Sequence, residues 1–186
     1  MKRTTYVAQA GVIAALYAVF TLVMIQTGIG YLPLQLRLSE VVTVLAVLTP
    51  AAVPGLVIGS VVANSFMVAQ FGAVALLDVV FGSLGTFLGA LWSWRLRKRP
   101  GLALLGPVIT NALIVPAYLP IVLAATGFYD KTILGIDIAS SWPTMYAFGV
   151  VSVATGQAIV IYILGLPLLM LLKRLKVGEG FDGTGE

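Results

Sequence analysis

Six long apolar runs, with almost all charge pushed to their ends, constrain this chain more than any other feature. A helix that crosses a hydrocarbon core of about 30 Å needs roughly 20 apolar residues at 1.5 Å each. Runs of that kind are read at about residues 6–24, 55–68, 73–94, 102–126 and 145–172. Another opens at Ser39 and Glu40, a helix cap and first-turn acid, and stops at the turn Pro50-Ala51-Ala52-Val53-Pro54. The run at 55–68 is short, so it is expected to be tilted or incomplete. Pro107, Pro116 and Pro120 are expected to kink the fifth run. The first is too long for the core of a signal peptide and reads as a retained helix. With 60% hydrophobic and 10% charged residues, a water-soluble fold would lack the polar groups to cover itself. The expected fold is an all-α membrane protein of six transmembrane helices. Residues 1–176 form one domain, and 177–186 a Gly-rich, acidic, flexible tail.

An even number of spans puts both termini on one side. Lys2, Arg3, Arg95, Arg97, Lys98, Arg99, Lys173, Arg174 and Lys176 share that side, and only Arg37 and Lys131 lie opposite. Cytoplasmic loops collect Lys and Arg, so both termini, with the tail, are expected in the cytoplasm of a prokaryotic cell, the chain lying in its plasma membrane.

The absent residues exclude much chemistry. There is no Cys and no His, which removes disulfides, thiolates, imidazole-ligated metals and Ser–His or Cys–His nucleophiles. No phosphate-cradling glycine loop ending in Lys-Ser or Lys-Thr is present, so the chain does not hydrolyse ATP by that route. The basic residues cap apolar spans rather than forming an arginine stripe interleaved with aromatics, which argues against nucleic acid. No metal or cofactor is expected. Of seven acids, only Glu40 and Asp78 adjoin long apolar runs, and no local motif makes them a catalytic pair.

Depth arithmetic brings the remaining polar groups together. Glu40 opens the second span at its outer end, Asn64 comes late in the outward-climbing third, and Asp78 lies about 8 Å below the outer start of the fourth. Arg37 precedes Glu40 by one helical turn, while Asn111 and Gln157 fall nearer the midplane. An ionisable group in a membrane costs about 2.5–3.5 kcal/mol even on lenient scales and marks a functional site by default. The set therefore reads as a pocket for a small polar ligand, open to the outside. Tyr118, in the outer half of the fifth span, and Trp142, in the last outer loop, are candidates to stack on a flat ligand. Blander readings stand beside these: an interfacial Arg37–Glu40 pair, interhelical hydrogen bonding by Asn64, Asn111 and Gln157, and an aromatic belt. In the first span Ala10, Ala14 and Ala18 repeat every four residues, with Gly11 and Ala15 beside them, a smooth strip for another helix of this chain or of a partner.

Several stretches together resemble the QueT family: Gln35-Leu36-Arg37-Leu38-Ser39-Glu40, the run from Pro54 through Gly59-Ser60 to Asn64, Asp78-Val79-Val80-Phe81-Gly82-Ser83-Leu84, Pro107 to Val115, and Tyr162 to Leu168. The resemblance implies the substrate-binding S component of an energy-coupling factor (ECF) transporter, a non-enzymatic importer subunit for queuosine precursors such as queuine, preQ1 or preQ0, which are 7-deazaguanines. It implies as partners a transmembrane coupling subunit and two ATPase subunits, with transport by toppling in the membrane. Arg37, Glu40, Asn64, Asp78 and Asn111 fall on the family's polar positions, and Ala10, Ala14 and Ala18 on its docking pattern. Gln157 stands where many relatives are expected to carry Glu, which implies a shift toward a neutral base. An S component for another vitamin-like solute, an intramembrane enzyme using Asp78 or Glu40, and a purely structural subunit are the competing readings.

Overall fold

The computed structural model describes residues 3–27, 36–126, 132–133, 136–137 and 142–177. The expected breaker-rich loop at 28–35, Lys131, most of the polar loop at 127–141 and the tail from 178 lie outside the described residues.

The first helix, Arg3–Thr27, is a regular α-helix. The second span is not: Leu38–Val47 winds as a 3₁₀-helix, with Glu40 N–H bonded to the Arg37 carbonyl at 3.0 Å. At about 2.0 Å per residue, ten residues reach about 20 Å in this form, against about 15 Å as α-helix. A third helix, Ala52–Phe71, is longer than the expected 55–68 because Ala52, Val53 and Pro54 form its first turn rather than a connector.

The fourth span, Ala73–Arg95, is composite: a 3₁₀ turn at Ala73–Ala75, a π-helical stretch at Asp78–Gly82, then α-helix Ser83–Arg95. A short helical turn, Pro100–Ala103, leads into Leu105–Thr126, which carries Pro116 and Pro120 in its interior. The sixth span begins at Trp142 and runs to Ala158, passes through a π-helical stretch at Ile159–Gly165 and ends as α-helix Leu166–Arg174. Between the last two, the two-residue strands Thr132–Ile133 and Ile136–Asp137 pair antiparallel.

Five helices are long and apolar enough to cross a membrane, and Leu38–Val47 is a shorter apolar helix among them. It is buried on nearly every side: Ser39, Glu40, Val42, Thr43, Val44, Ala46 and Val47 are all inaccessible. Val44, Val47 and Leu48 belong to one apolar cluster with Ala103, Leu104, Ile161 and Leu169, whereas Val42 and Ala46 join Ile13, Tyr17 and Leu56 in another. The 3₁₀-helix is thus the central strut. The other helices carry the lipid-facing side chains, such as Val12, Phe66, Val80, Leu113 and Ile163.

The alanine strip has its partner inside the chain. Ala10, Ala14 and Ala18 are 7–8% exposed. A Cβ on Gly55 would lie 2.7 Å from the Ala10 carbonyl oxygen, and one on Gly59 2.6 Å from that of Ala14. Gly55 and Gly59, four apart, meet Ala10 and Ala14, four apart, the small-residue contact that lets two membrane helices touch backbone to backbone. Ala10 and Ala14 thus pack on the third helix of the same chain, one of the two neighbours that the strip alone leaves open. The open side of the first helix carries Gly11, Ala15, Val12, Leu16 and Val19 instead.

Candidate functional site

Burial of Glu40 begins with the winding of its helix. The 3₁₀ period of three stacks Glu40, Thr43 and Ala46 on one ridge, and all three are 0–1% exposed. Thr43 Oγ1 donates to the Glu40 carbonyl at 2.6 Å, a local bond suited to that tight winding. On the side chain, Oε1 accepts from the Tyr17 hydroxyl at 2.9 Å. The other oxygen, Oε2, is buried and has no hydrogen-bond partner. Gln157, 1% exposed, lies beside the Glu40 carboxyl. The amide is near enough to act on that carboxyl, but neither its oxygen nor its nitrogen meets a partner at hydrogen-bonding distance and angle.

Arg37 makes its ion pair with Asp78. Its Nη2 faces Asp78 Oδ1 at 3.8 Å, so the interfacial Arg37–Glu40 pair considered above is replaced by a link from the second span to the fourth. Asp78 is 2% exposed and its Oδ1 also accepts from the Tyr118 hydroxyl at 2.6 Å. Its backbone carbonyl accepts from Asn64 Nδ2 at 2.8 Å. Asp78 therefore sits at the head of a π-helical stretch with its carboxylate neutralised and its carbonyl bonded. Such stretches recur at functional sites because the extra residue re-aims a side chain.

Beneath lies a hydroxyl hub. Ser60 Oγ accepts from Ser83 Oγ at 3.2 Å and from Asn64 Nδ2 at 3.4 Å; it lies 3.5 Å from Thr86 Oγ1, whose own hydroxyl donates to the Gly82 carbonyl at 3.1 Å, and every member is buried. Two glycines leave room around it. A Cβ on Gly82 would approach the Tyr118 hydroxyl, Asn64 Nδ2 and Asp78 Oδ1 to 3.1–3.3 Å. One on Gly85 would collide with Asn111 Oδ1. Asn111 is 1% exposed, and neither of its amide atoms is hydrogen-bonded.

The predicted polar residues Arg37, Glu40, Asn64, Asp78, Asn111 and Gln157 are thus all described, and all but Arg37 are at most 4% exposed. Tyr118 joins them at 5% exposed through its hydroxyl, with its ring 5.9 Å from Phe81 and tilted by 33°. Trp142 does not join. It opens the sixth helix rather than lying in a loop, is 53% exposed, and stacks on Tyr146 at 5.1 Å. Its place at a helix end with an exposed ring is that of an interfacial aromatic.

Chemically the cluster is a set of hydrogen-bonding groups. Arg37 offsets Asp78, and what remains uncommitted is one carboxylate oxygen and two complete amides. An amide offers both a donor and an acceptor, and a carboxylate accepts. Among the described residues no three His, Cys, Asp or Glu side chains converge to hold a metal ion.

The profile of the QueT transporter family matches residues 7–174, which takes in every helix described above. The chain belongs to the QueT transporter family. Membership makes it a multi-pass membrane protein with a transport role rather than a catalytic one. No curated protein and no solved structure shows a significant match to it. Within this QueT chain five buried polar atoms of the cluster have no hydrogen-bond partner, an arrangement that is costly in a protein interior.

Sequence reasoning missed Tyr17, Ser60 and Thr86. Tyr17 lies seven residues after Ala10 and three after Ala14, so it shares the face of the alanine strip. Once that face turns inward, its hydroxyl needs a buried acceptor. Ser60 precedes Asn64 by one turn and adjoins Gly59, a position that the Gly55-to-Gly59 spacing marks as a close helix contact.

Proposed function

We propose that the chain is the S component of an ECF-type importer and that its buried cluster captures a 7-deazaguanine. Five unpartnered buried atoms carry this reading: Glu40 Oε2 and both amide atoms of Asn111 and of Gln157. A deazaguanine edge presents a ring N–H and an exocyclic amine side by side, with a carbonyl next to them. One carboxylate accepts the two N–H groups, and an amide N–H donates to the carbonyl. Glu40 is favoured over Asp78 as the reader of that edge, because Asp78 is occupied by Arg37 and Tyr118. The neutral amide of Gln157 beside Glu40 supports a preference for a ligand with an uncharged arm.

The partners in this reading are a membrane coupling subunit and two ATPase subunits, which supply the ATP hydrolysis that this sequence has no loop for. Both termini are cytoplasmic, following the nine-to-two distribution of cations. Docking falls on the open side of the first helix at Gly11 and Ala15, where a Cβ on Gly11 would meet nothing within 4 Å. An S component for a different vitamin-like solute would keep this architecture with another ligand.

Thermal unfolding of the purified protein against queuine, aminomethyl- and cyano-deazaguanine, guanine, thiamine, riboflavin and biotin tests the substrate. A ligand at 100 times its Kd adds about 2.7 kcal/mol of stability. Selective stabilisation by a deazaguanine, lost in Glu40→Gln, is the expected result. Stabilisation by one of the vitamins alone would overturn the substrate assignment.

A further inference from the structure

A second polar feature lies outside the buried cluster. The turn between the fourth and fifth spans carries Arg95, Arg97, Lys98 and Arg99 within five residues. None of the four forms an ion pair with a described acid, since the salt bridge of the described residues is Arg37–Asp78.

The turn is held in shape from both sides. Its backbone closes through Leu96 N–H to the Trp92 carbonyl at 3.0 Å, Arg99 N–H to the Leu96 carbonyl at 2.8 Å and Ala103 N–H to the Arg99 carbonyl at 2.9 Å. Side chains tie the two spans across it: Trp92 Nε1–H donates to the Leu102 carbonyl at 3.1 Å and Ser93 Oγ to the Ala103 carbonyl at 2.8 Å. Tyr162 of the last span adds a third tie, to the Gly101 carbonyl at 2.8 Å. Arg97 is itself fixed. Its guanidinium lies 3.9 Å from the centroid of the Trp94 ring and its Nη1 donates to the Trp94 carbonyl at 3.2 Å. The guanidinium has five N–H donors, and this bond to the Trp94 carbonyl uses one of them.

We propose that this pinned turn binds the phosphate headgroup of an anionic phospholipid. Arg97 is its fixed anchor, and Arg95, Lys98 and Arg99 close around the charge. A lipid is favoured over a free phosphate by what borders the cations: Trp92, Leu96 and Leu102 are 37–46% exposed. That apolar rim is where an acyl chain lies when its headgroup is held at the membrane surface. Orientation signals alone need only charge. They do not require a turn with three side-chain ties and a guanidinium held over a tryptophan ring.

The test compares the chain in nanodiscs of phosphatidylglycerol and of phosphatidylcholine, and counts lipids retained on release by native mass spectrometry. The wild type is expected to retain phosphatidylglycerol selectively and to melt higher in it, and both effects are expected to fade with added salt. Each Lys or Arg near an anionic surface is expected to contribute about five-fold, so Arg95→Gln/Lys98→Gln/Arg99→Gln should lower retention on the order of a hundred-fold. Lys173→Gln/Arg174→Gln should leave it unchanged. Should the triple variant fail to fold, the wild-type lipid preference and its loss with salt still decide. Equal retention of the two lipids, an undiminished preference in the folded triple variant, or the same stabilisation by inorganic phosphate would overturn the proposal.

Discussion

The Tyr17 hydroxyl donates a hydrogen bond to Glu40 Oε1 across 2.9 Å, joining the first helix to the central 3₁₀ strut at a point where neither residue is more than 2% exposed. This bond satisfies one carboxylate oxygen and leaves the other without a partner. Tyr17→Phe removes the donor and leaves a buried acceptor without a partner, a loss expected to cost about 1–3 kcal/mol. Chemical or thermal denaturation in detergent measures it, and a variant as stable as the wild type would show that the bond contributes nothing.

Glu40→Gln separates stability from binding. The glutamine carbonyl still accepts from Tyr17, so the melt of the ligand-free protein should move little. Deazaguanine affinity is expected to fall at least ten-fold, because one acceptor oxygen becomes a donor facing the ligand's own N–H groups. Calorimetric titration of both proteins decides it, and affinity within two-fold of the wild type would move the reading of the base away from Glu40.

Gly59 and Gly11 make a matched pair. In Gly59→Ala the new methyl would lie 2.6 Å from the Ala14 carbonyl oxygen, a backbone atom that does not move aside, and a loss of about 1–3 kcal/mol is expected. Gly11→Ala meets nothing within 4 Å and is expected to be neutral or to gain up to about 1 kcal/mol from helix propensity. Equal melting temperatures for the two variants would refute the close contact.

The same geometry redirects the docking test. Ala14→Trp is expected to disrupt the chain itself, whereas Ala15→Trp should fold, bind ligand and fail to co-purify with the coupling subunit. Intact co-purification of Ala15→Trp would remove docking from this face.

Arg37 and Asp78 are expected to be coupled. Arg37→Gln strands a buried carboxylate and should cost about 1–3 kcal/mol, less than for a fully enclosed pair because Arg37 is 26% exposed. Asp78→Asn in the same chain should restore much of that loss. A double-mutant cycle yielding no interaction energy would show the pair to be incidental.

Much of this was legible in the residues. Charge-poor runs gave the spans, and the cost of polar groups in lipid singled out Glu40, Asn64, Asp78, Asn111 and Gln157, all of which are buried. What sequence did not reveal is how the backbone winds. Residues 38–47 are apolar all round apart from Ser39, Glu40 and Thr43, so no amphipathic period distinguishes 3₁₀ from α winding. The π-helical stretches at Asp78–Gly82 and Ile159–Gly165 are invisible for the same reason. The alanine strip was seen, but its partner was not, because a smooth face accepts a helix of the same chain or of another subunit equally well. Trp142 was misplaced because an aromatic beside a proline reads equally as loop or as helix start.

The central strut has a consequence for how the protein is made. Insertion machinery partitions a segment by its own greasiness and length, and a ten-residue helix is well short of the roughly 20 that cross unaided. Leu38–Val47 also exposes almost nothing to lipid. Its residence in the bilayer is therefore a gift of its neighbours, installed when the longer helices close around it rather than when the ribosome delivers it. Glu40, carried on that strut, is buried only once the other helices surround it, so the polar cluster belongs to the closed bundle and not to any one span.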